Sequence, residues 1–374
     1  MGLRIAQVAP LYERVPPLLY GGTERVVHIL TEELVRQGHD VTLFASGDSV
    51  TSARLVAGWG QSLRLDPRHV DTLAPHFLLL EQVFDRLSSF DVVHFHVDYL
   101  HYPLSRRYQF ARVTTLHGRL DIPELAPLYD RYSDEPVVSI SDSQRRPLPD
   151  ANWQATVPHG LPKDLLAFSP HHHGYLAFVG RLSPEKRVDR AIEIARRVGA
   201  RLKIAAKIDP VDREYYEREI APLLAAPHVD FLGEVGDDAK VALLGHARAL
   251  LFPIDWEEPF GLVMIEALAC GTPVIAFNRG SVPEIIEHGV TGFIVDSVDE
   301  AVEAVRRVET LSRAWPREAF ERRFTAERMA DDYLSVYRRL LTGRTPGDAT
   351  PIARRHSSAL DAAGADRLPL ASGQ

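Results

Sequence analysis

The sequence predicts an α/β fold of two domains, each a parallel sheet layered with helices, and three observations carry that prediction. Its 374 residues exceed the roughly 100–200 typical of one domain. Short apolar, β-branched runs alternate with helical patterns along the chain, the order that builds parallel sheets. Apolar residues make up 45% and charged residues 25%, a globular balance that allows sizeable cores.

The elements follow in order. Apolar runs at 3–9, 41–45, 92–96, 112–116 and 137–140 read as strands of the first half. Runs at 176–179, 202–206, 229–232, 249–253, 273–277 and 292–295 read as strands of the second. Residues 24–37 set Val27, Leu30 and Leu34 on one helical face and stop at Gly38, whose missing Cβ suits a left-handed C-terminal cap. Residues 188–198 repeat the device, with Val188, Ala191, Ile192 and Ala195 facing inward and Gly199 ending the helix. Pro162, Pro170 and the run His171-His172-His173-Gly174 place the boundary within 161–175, the triple His reading as a polar linker rather than a metal tract. Residues 325–341 form an amphipathic helix with Met329, Tyr333, Val336, Tyr337 and Leu340 along one side. From Gly343 onward periodicity is lost and the chain reads as a disordered tail. The expected division is 1–165, 166–324, the helix 325–341 and the tail 342–374.

Charge and cysteine use narrow the classes. A formal net charge of −8 argues against nucleic acid or an anionic membrane as main partner, since both reward basic patches. A single cysteine, Cys270, forms no internal disulfide and no Cys-based zinc site, which suits a cytoplasmic location. The N-terminal residues have no apolar region of signal-peptide length, and no stretch reaches the roughly 18 apolar residues of a spanning helix.

The most informative segment runs from Trp256 to Pro273. Pro259 and Gly261 mark a loop after the 249–253 strand, and the helix that follows is apolar all round except for Glu266. Such a helix is buried, and a carboxylate on it is costly unless paired. Free N–H groups and the positive dipole end near Gly261 suit a diphosphate. Glu266, about a turn and a half deeper, is then placed for a ribose diol. Glu258 precedes the helix, where a transferred group beyond the phosphates would sit. The plainer alternative is that Glu258 complements the helix dipole and Glu266 salt-bridges a neighbouring Arg.

A second constellation, Gly180-Arg181-Leu182-Ser183-Pro184-Glu185-Lys186, follows the first strand of the second half. Ligands of open α/β sheets bind at that strand end, and an Arg–Lys pair matches two phosphates. A third, Tyr20-Gly21-Gly22-Thr23-Glu24, opens a helix but is not GxGxxG, so the NAD fingerprint is absent. It reads either as a Gly turn with Thr23 as N-cap or as backbone approaching a phosphate or sugar from the opposite domain. His94 and His96 share one strand face without a clear third metal ligand, which favours a structural or substrate-contacting role. His117, beside Gly118 at a strand's C-terminal edge, suits a polar contact.

Together, Glu258-x7-Glu266 with Pro259-Phe260-Gly261, Gly180-Arg181-Leu182-x3-Lys186 and Gly21-Gly22-x-Glu24 resemble glycosyltransferase family 4 over about residues 3–341. Gly22-Thr23-Glu24-Arg25-Val26-Val27 and Phe44-Ala45-Ser46-Gly47-Asp48-Ser49 are similar to its branch of avilamycin-biosynthesis enzymes. The resemblance implies a GT-B fold: two Rossmann-like domains facing across a cleft, with the C-terminal helix crossing back to the first. It implies a retaining, metal-independent enzyme that needs no cofactor and takes a nucleotide-sugar as co-substrate, passing the sugar to a carbohydrate or small-molecule acceptor. Carried over by position, Arg181 and Lys186 neutralise the diphosphate, Glu258 contacts the sugar, and Glu266 holds the ribose. Phe260, Gly261 and Leu262 line the sugar-phosphate, Gly22 approaches the β-phosphate, and His117 touches the sugar. The family's Gly after the Lys is Arg187 here, its Asn before the linker is His159, and its glycine-containing strand end reads Ala205-Ala206-Lys207, so that Lys207 adds a possible phosphate contact. Rival readings are a GT-B sugar-nucleotide epimerase and a non-catalytic sugar-nucleotide-binding protein.

Overall fold

The computed structural model describes residues 2–19, 21–66 and 70–342, and the backbone of 350–351. Tyr20 and most of the expected tail lie outside the described residues. The strands are β1 (Arg4–Val8), β2 (Asp40–Ser46), β3 (Arg54–Trp59), β4 (Val92–Phe95), β5 (Tyr108–Gln109), β6 (Arg112–Thr115), β7 (Val137–Ser139) and β8 (Trp153–Thr156). They continue as β9 (Leu176–Arg181), β10 (Leu202–Lys207), β11 (Val229–Gly233), β12 (Ala249–Phe252), β13 (Val274–Phe277), β14 (Gly292–Val295) and β15 (Thr350–Pro351).

Two parallel sheets result, one ordered β3-β2-β1-β4-β6-β7-β8 and the other β11-β10-β9-β12-β13-β14. Both reverse direction beside their first strand, at β1/β4 and β9/β12, and ligands of open α/β sheets bind outside the strand ends at such a switch. This is the GT-B architecture. All six strands expected in the second half are present; β3 and β8, at the edges of the first sheet, were not anticipated. Edge strands are half-solvated, as the partly exposed residues of β3 and β8 show, so they lack the apolar run that marks a central strand. The pair β5–β15 forms a small antiparallel ribbon.

The helix Gly22–Arg36 starts at Gly22, with Gly21 rather than Thr23 at the N-cap. Its C-terminal turn closes at Gly38 (φ 86°). The helix Val188–Val198 has the expected bounds and ends on left-handed Gly199. The last long helix, Ala326–Leu341, is capped by Thr325, whose side chain accepts from the Arg328 N–H. It returns to the first half: Met329, Ala330, Tyr333 and Tyr337 share a core with Ile5, Val26, Leu30 and Leu34. Where the chain crosses, Leu161 N–H donates to Phe324 O and Ala326 N–H to Leu161 O, both at 2.9 Å. A Cβ on Gly160 would lie 2.2 Å from Thr325 O, so only glycine fits the crossing.

Two of the three histidines of 171–173 are engaged: His173 stacks on His246 at 4.3 Å and His172 contacts Glu309 at 3.1 Å. Among the described residues, no helix is long and apolar enough to cross a membrane, and no group of three or more His, Cys, Asp or Glu is arranged to hold a metal ion.

Candidate active site

A cleft of about 700 Å³ opens between the two sheets, lined from both halves. Its lining residues Pro10, His96, His117, Ile140, Arg181, Lys207, Val235 and Trp256 each sit at or just past the C-terminal end of a different strand. Every residue expected at the site lines it: Gly22, His117, Arg181, Lys186, Lys207, Glu258, Phe260, Gly261, Leu262 and Glu266.

On the second-half wall, Gly261 adopts φ 81° and caps the helix Leu262–Ala269. That conformation is open to glycine at little cost, and it turns the helix N-terminus toward the cleft. Across from it, a Cβ on Gly22 would meet Leu262 Cδ1 at 3.7 Å, so the starts of the two helices face each other. Inside the helix, Met264, Ile265, Ala267 and Leu268 are fully buried, and Glu266 is buried among them. Its Oε1 accepts from Lys240 Nζ at 2.5 Å. Lys240 also lies 3.4 Å from Asp237, which accepts from Arg25 of the first half at 2.8 Å. The partner of Glu266 is thus a lysine, and the pair joins an ion chain that crosses between the halves. A second crossing is made by Glu284, whose carboxylate accepts from the Asp142 and Ser143 amides at 2.7 Å each.

Glu258 Oε2 accepts from Lys186 Nζ and, at 3.1 Å, from Trp256 Nε1. The Lys186 ammonium lies 4.9 Å from the Trp256 ring centroid and 5.5 Å from that of Phe252. Arg181 is clustered with carboxylates: it contacts Glu185, Asp209 at 3.6 Å and Asp212 at 3.4 Å. Burial pushes the Asp212 carboxyl up. Lys207 pairs with Asp209 at 2.9 Å. Arg181, Lys186 and Lys207, expected as cations awaiting phosphate, are therefore each engaged with acidic side chains.

Arg187, standing where the resemblance expects glycine, adopts φ 52°. A left-handed non-glycine residue costs about 1–2 kcal/mol, and ion pairs to Asp189 at 2.7 Å and Asp255 at 2.9 Å hold it there.

On the first-half wall, His96 Nδ1 is 2.9 Å from His117 Nε2. His117 stacks with His159 at 5.4 Å, and His159 meets the Phe260 ring at 4.7 Å. Burial lowers the His117 pKa to about 3 and keeps the ring neutral. Asp98 adopts φ 49°, and burial raises its carboxyl to about 6. Glu24, buried at the start of the Gly22–Arg36 helix, is raised to about 7 by the same cause.

Several participants escaped the sequence reading. Lys240 and Asp237 lie on a short helix with a weak apolar face, and nothing in their spacing points to Glu266. The run Asn278-Arg279-Gly280-Ser281 directly follows a strand, and that signal was available. Gly280 (φ 55°) lets its backbone pass Glu258, since a Cβ there would lie 2.3 Å from Glu258 N. Ser281 Oγ donates to Phe260 O at 2.7 Å, and Ser281 N–H to Glu258 O at 3.0 Å. This loop fixes the segment that carries Glu258.

Residues 20–154 match the family model Glycosyltransferase Family 4, and residues 168–323 match Glycosyl transferases group 1. The chain belongs to glycosyltransferase family 4. Over 124 residues it is 38% identical to an uncharacterized glycosyltransferase of Methanocaldococcus jannaschii, a match covering 32% of this chain and 31% of the relative. Matches to the first four curated relatives span 29% to 48% of their lengths. Among solved structures, the glycosyltransferase AviGT4, involved in avilamycin A biosynthesis, superposes with a TM-score of 0.70 at 24% identity, covering 91% of this chain and 98% of that one. HepE of Anabaena, solved in complex with UDP-glucose, gives 0.68 at 17% identity, covering 90% and 100%. These structural likenesses establish the shared fold of this family 4 glycosyltransferase.

Proposed function

We propose that this family 4 enzyme transfers a sugar, with retention, from a nucleoside-diphosphate sugar to an acceptor hydroxyl, without a metal or cofactor. The observation that carries this reading is convergence: Arg181, Lys186, Lys207 and the N-terminus of the Leu262–Ala269 helix line one cleft with Glu258 and Glu266. The donor half is residues 166–324 and the acceptor half residues 1–165, with the 325–341 helix crossing back. HepE, bound to UDP-glucose in the same fold, supports a nucleotide-sugar donor.

In this reading Glu266 holds the ribose diol. The diphosphate draws Arg181, Lys186 and Lys207 away from their carboxylate partners, and the amides following Gly261 meet the β-phosphate opposite Gly22. As the bond from the anomeric carbon to the β-phosphate oxygen breaks, the three cations and the helix dipole stabilise charge gathering on the leaving diphosphate. The acceptor oxygen bonds to the anomeric carbon on the same face, and its proton passes to the departing phosphate. Glu258 already accepts two hydrogen bonds through Oε2, which suits a carboxylate that positions the sugar better than a nucleophile. Free, buried Cys270 accords with a cytoplasmic enzyme.

Purified protein incubated with UDP-, GDP- and ADP-sugars tests the reading. Release of nucleoside diphosphate with acceptor present supports transfer. Epimerised donor without release would instead identify an epimerase, and binding without either change a sensor.

A further inference from the structure

Resting on the reading that His117 meets the donor sugar, we propose that Gln7, His96 and Tyr337 are positioning residues that fix which nitrogen of His117 carries its proton. The fixed tautomer leaves His117 Nδ1 as a bare acceptor that recognises a sugar hydroxyl.

The argument follows protons along a buried chain. Gln7 Nε2 donates to the Tyr337 hydroxyl at 3.1 Å, so Gln7 Oε1 faces His96 Nε2, 2.8 Å away. An amide oxygen has only lone pairs to offer, so His96 Nε2 carries the proton and donates. Burial keeps His96 neutral; its Nδ1 is therefore bare and accepts across 2.9 Å from His117 Nε2–H. His117 is itself neutral, so its Nδ1 is bare as well. That atom is buried and has no hydrogen-bond partner among the described residues, although His117 lines the cleft. On the other side, the Tyr337 hydroxyl donates to His94 Nδ1 at 2.7 Å, and His94 Nε2–H donates to Thr115 Oγ1 at 2.8 Å. Each bonded ring nitrogen in the chain makes one hydrogen bond, and the Tyr337 hydroxyl, on the crossover helix, makes two, accepting from Gln7 and donating to His94. Turning the Gln7 amide over would reverse each proton and make His117 Nδ1 a buried, unsatisfied donor, a costlier orphan than a lone pair.

An acceptor at this point favours a donor sugar with a hydroxyl there and disfavours a carboxylate, which brings no proton. The enzyme should therefore lose turnover with the deoxy-sugar analogue, carrying the same nucleotide, that lacks this hydroxyl.

The tautomer is read directly from long-range proton–nitrogen spectra of the full chain labelled with 15N-histidine, with His117 assigned by its absence in His117→Gln. The ligand-free protein should show His117 protonated at Nε2, and adding the nucleotide-sugar it turns over should shift the Nδ1 resonance. Tyr337→Phe unpins the Gln7 amide: His117 should become a mixture of tautomers, and donor kcat/KM should fall roughly three- to tenfold, the effect of one neutral hydrogen bond. Discrimination against that deoxy-sugar donor should relax, while a thermal melt confirms folding. A wild-type His117 protonated at Nδ1 would overturn the proposal, as would Tyr337→Phe with both tautomer and donor specificity unchanged. An Nδ1 resonance unmoved by a turned-over donor would overturn the sugar contact. Because the ligand-free tautomer is measured without turnover, failure to release any nucleoside diphosphate would count against the transferase reading separately.

Discussion

Lys240 donates to Glu266 across 2.5 Å, and both side chains are largely withdrawn from water. Removing one member of a buried pair typically costs about 3–5 kcal/mol, because the other charge is left uncompensated. Lys240→Met should therefore lower the melting temperature markedly, and adding Glu266→Gln should restore part of the loss. Calorimetric melts of the two single variants and the double variant form the cycle; strictly additive losses would mean that the pair is not coupled.

Glu266→Gln and Glu258→Gln should separate by ligand. The first removes the carboxylate proposed to hold ribose and should weaken nucleoside diphosphate and intact donor alike. Glu258 instead neutralises Lys186 in the free protein. Glu258→Gln releases that ammonium and should keep or raise diphosphate affinity, while turnover falls through lost contact with the reacting sugar. Titration calorimetry and steady-state kinetics on both variants check this. Equal affinity losses, or full turnover in Glu258→Gln, would contradict the separate roles.

The parts of this molecule that the sequence discloses are those where one residue type has few alternatives. Buried central strands read as apolar runs, left-handed Gly38 and Gly199 end their helices, and a lone carboxylate on an all-apolar helix marks Glu266. Edge strands β3 and β8 are half-solvated and leave a weaker pattern. Side-chain partnerships are set by tertiary packing between elements distant in sequence, which local spacing does not encode. Lys240 reaches Glu266 from 26 residues away, Tyr337 reaches Gln7 from 330 away, and Asp209 and Asp212, which join the local Glu185 around Arg181, arrive on the segment after β10. Arg187 is a different case: its backbone obeys the glycine expectation while its side chain does not, because Asp189 and Asp255 hold it in place.

Arg181→Ala and Lys186→Ala should each weaken nucleoside diphosphate roughly tenfold or more, from the loss of a charge-assisted contact of about 1.5–3 kcal/mol, with a smaller loss for the monophosphate. Asp212→Asn removes one of the carboxylates that compete for Arg181 and should tighten diphosphate binding. Parallel titrations with mono- and diphosphate decide the matter. Equal losses for the two nucleotides would show that these cations do not read the terminal phosphate, and weaker binding by Asp212→Asn would show that Asp212 orients Arg181 instead of competing for it.

Glu24 gives stability a pH dependence of unusual sign for a carboxylate. Burial, reinforced by repulsion from Glu13, raises its pKa from 4.5 to about 7, against the pull of backbone hydrogen bonds and Arg64. Between pH 4.5 and 7 the folded protein keeps a proton that the unfolded chain releases, so this group's contribution to stability declines as pH rises through that window. Above pH 7 the folded state carries a buried, ionised carboxylate, and the accumulated loss reaches up to about 3 kcal/mol. Glu24→Gln preserves the side-chain volume and cannot ionise. Its melting temperature should be close to that of the wild type near pH 5 and progressively higher than it toward pH 8. Scanning calorimetry of both proteins across this range measures the widening gap, and a gap independent of pH would mean that Glu24 ionises as readily in the fold as in the unfolded chain.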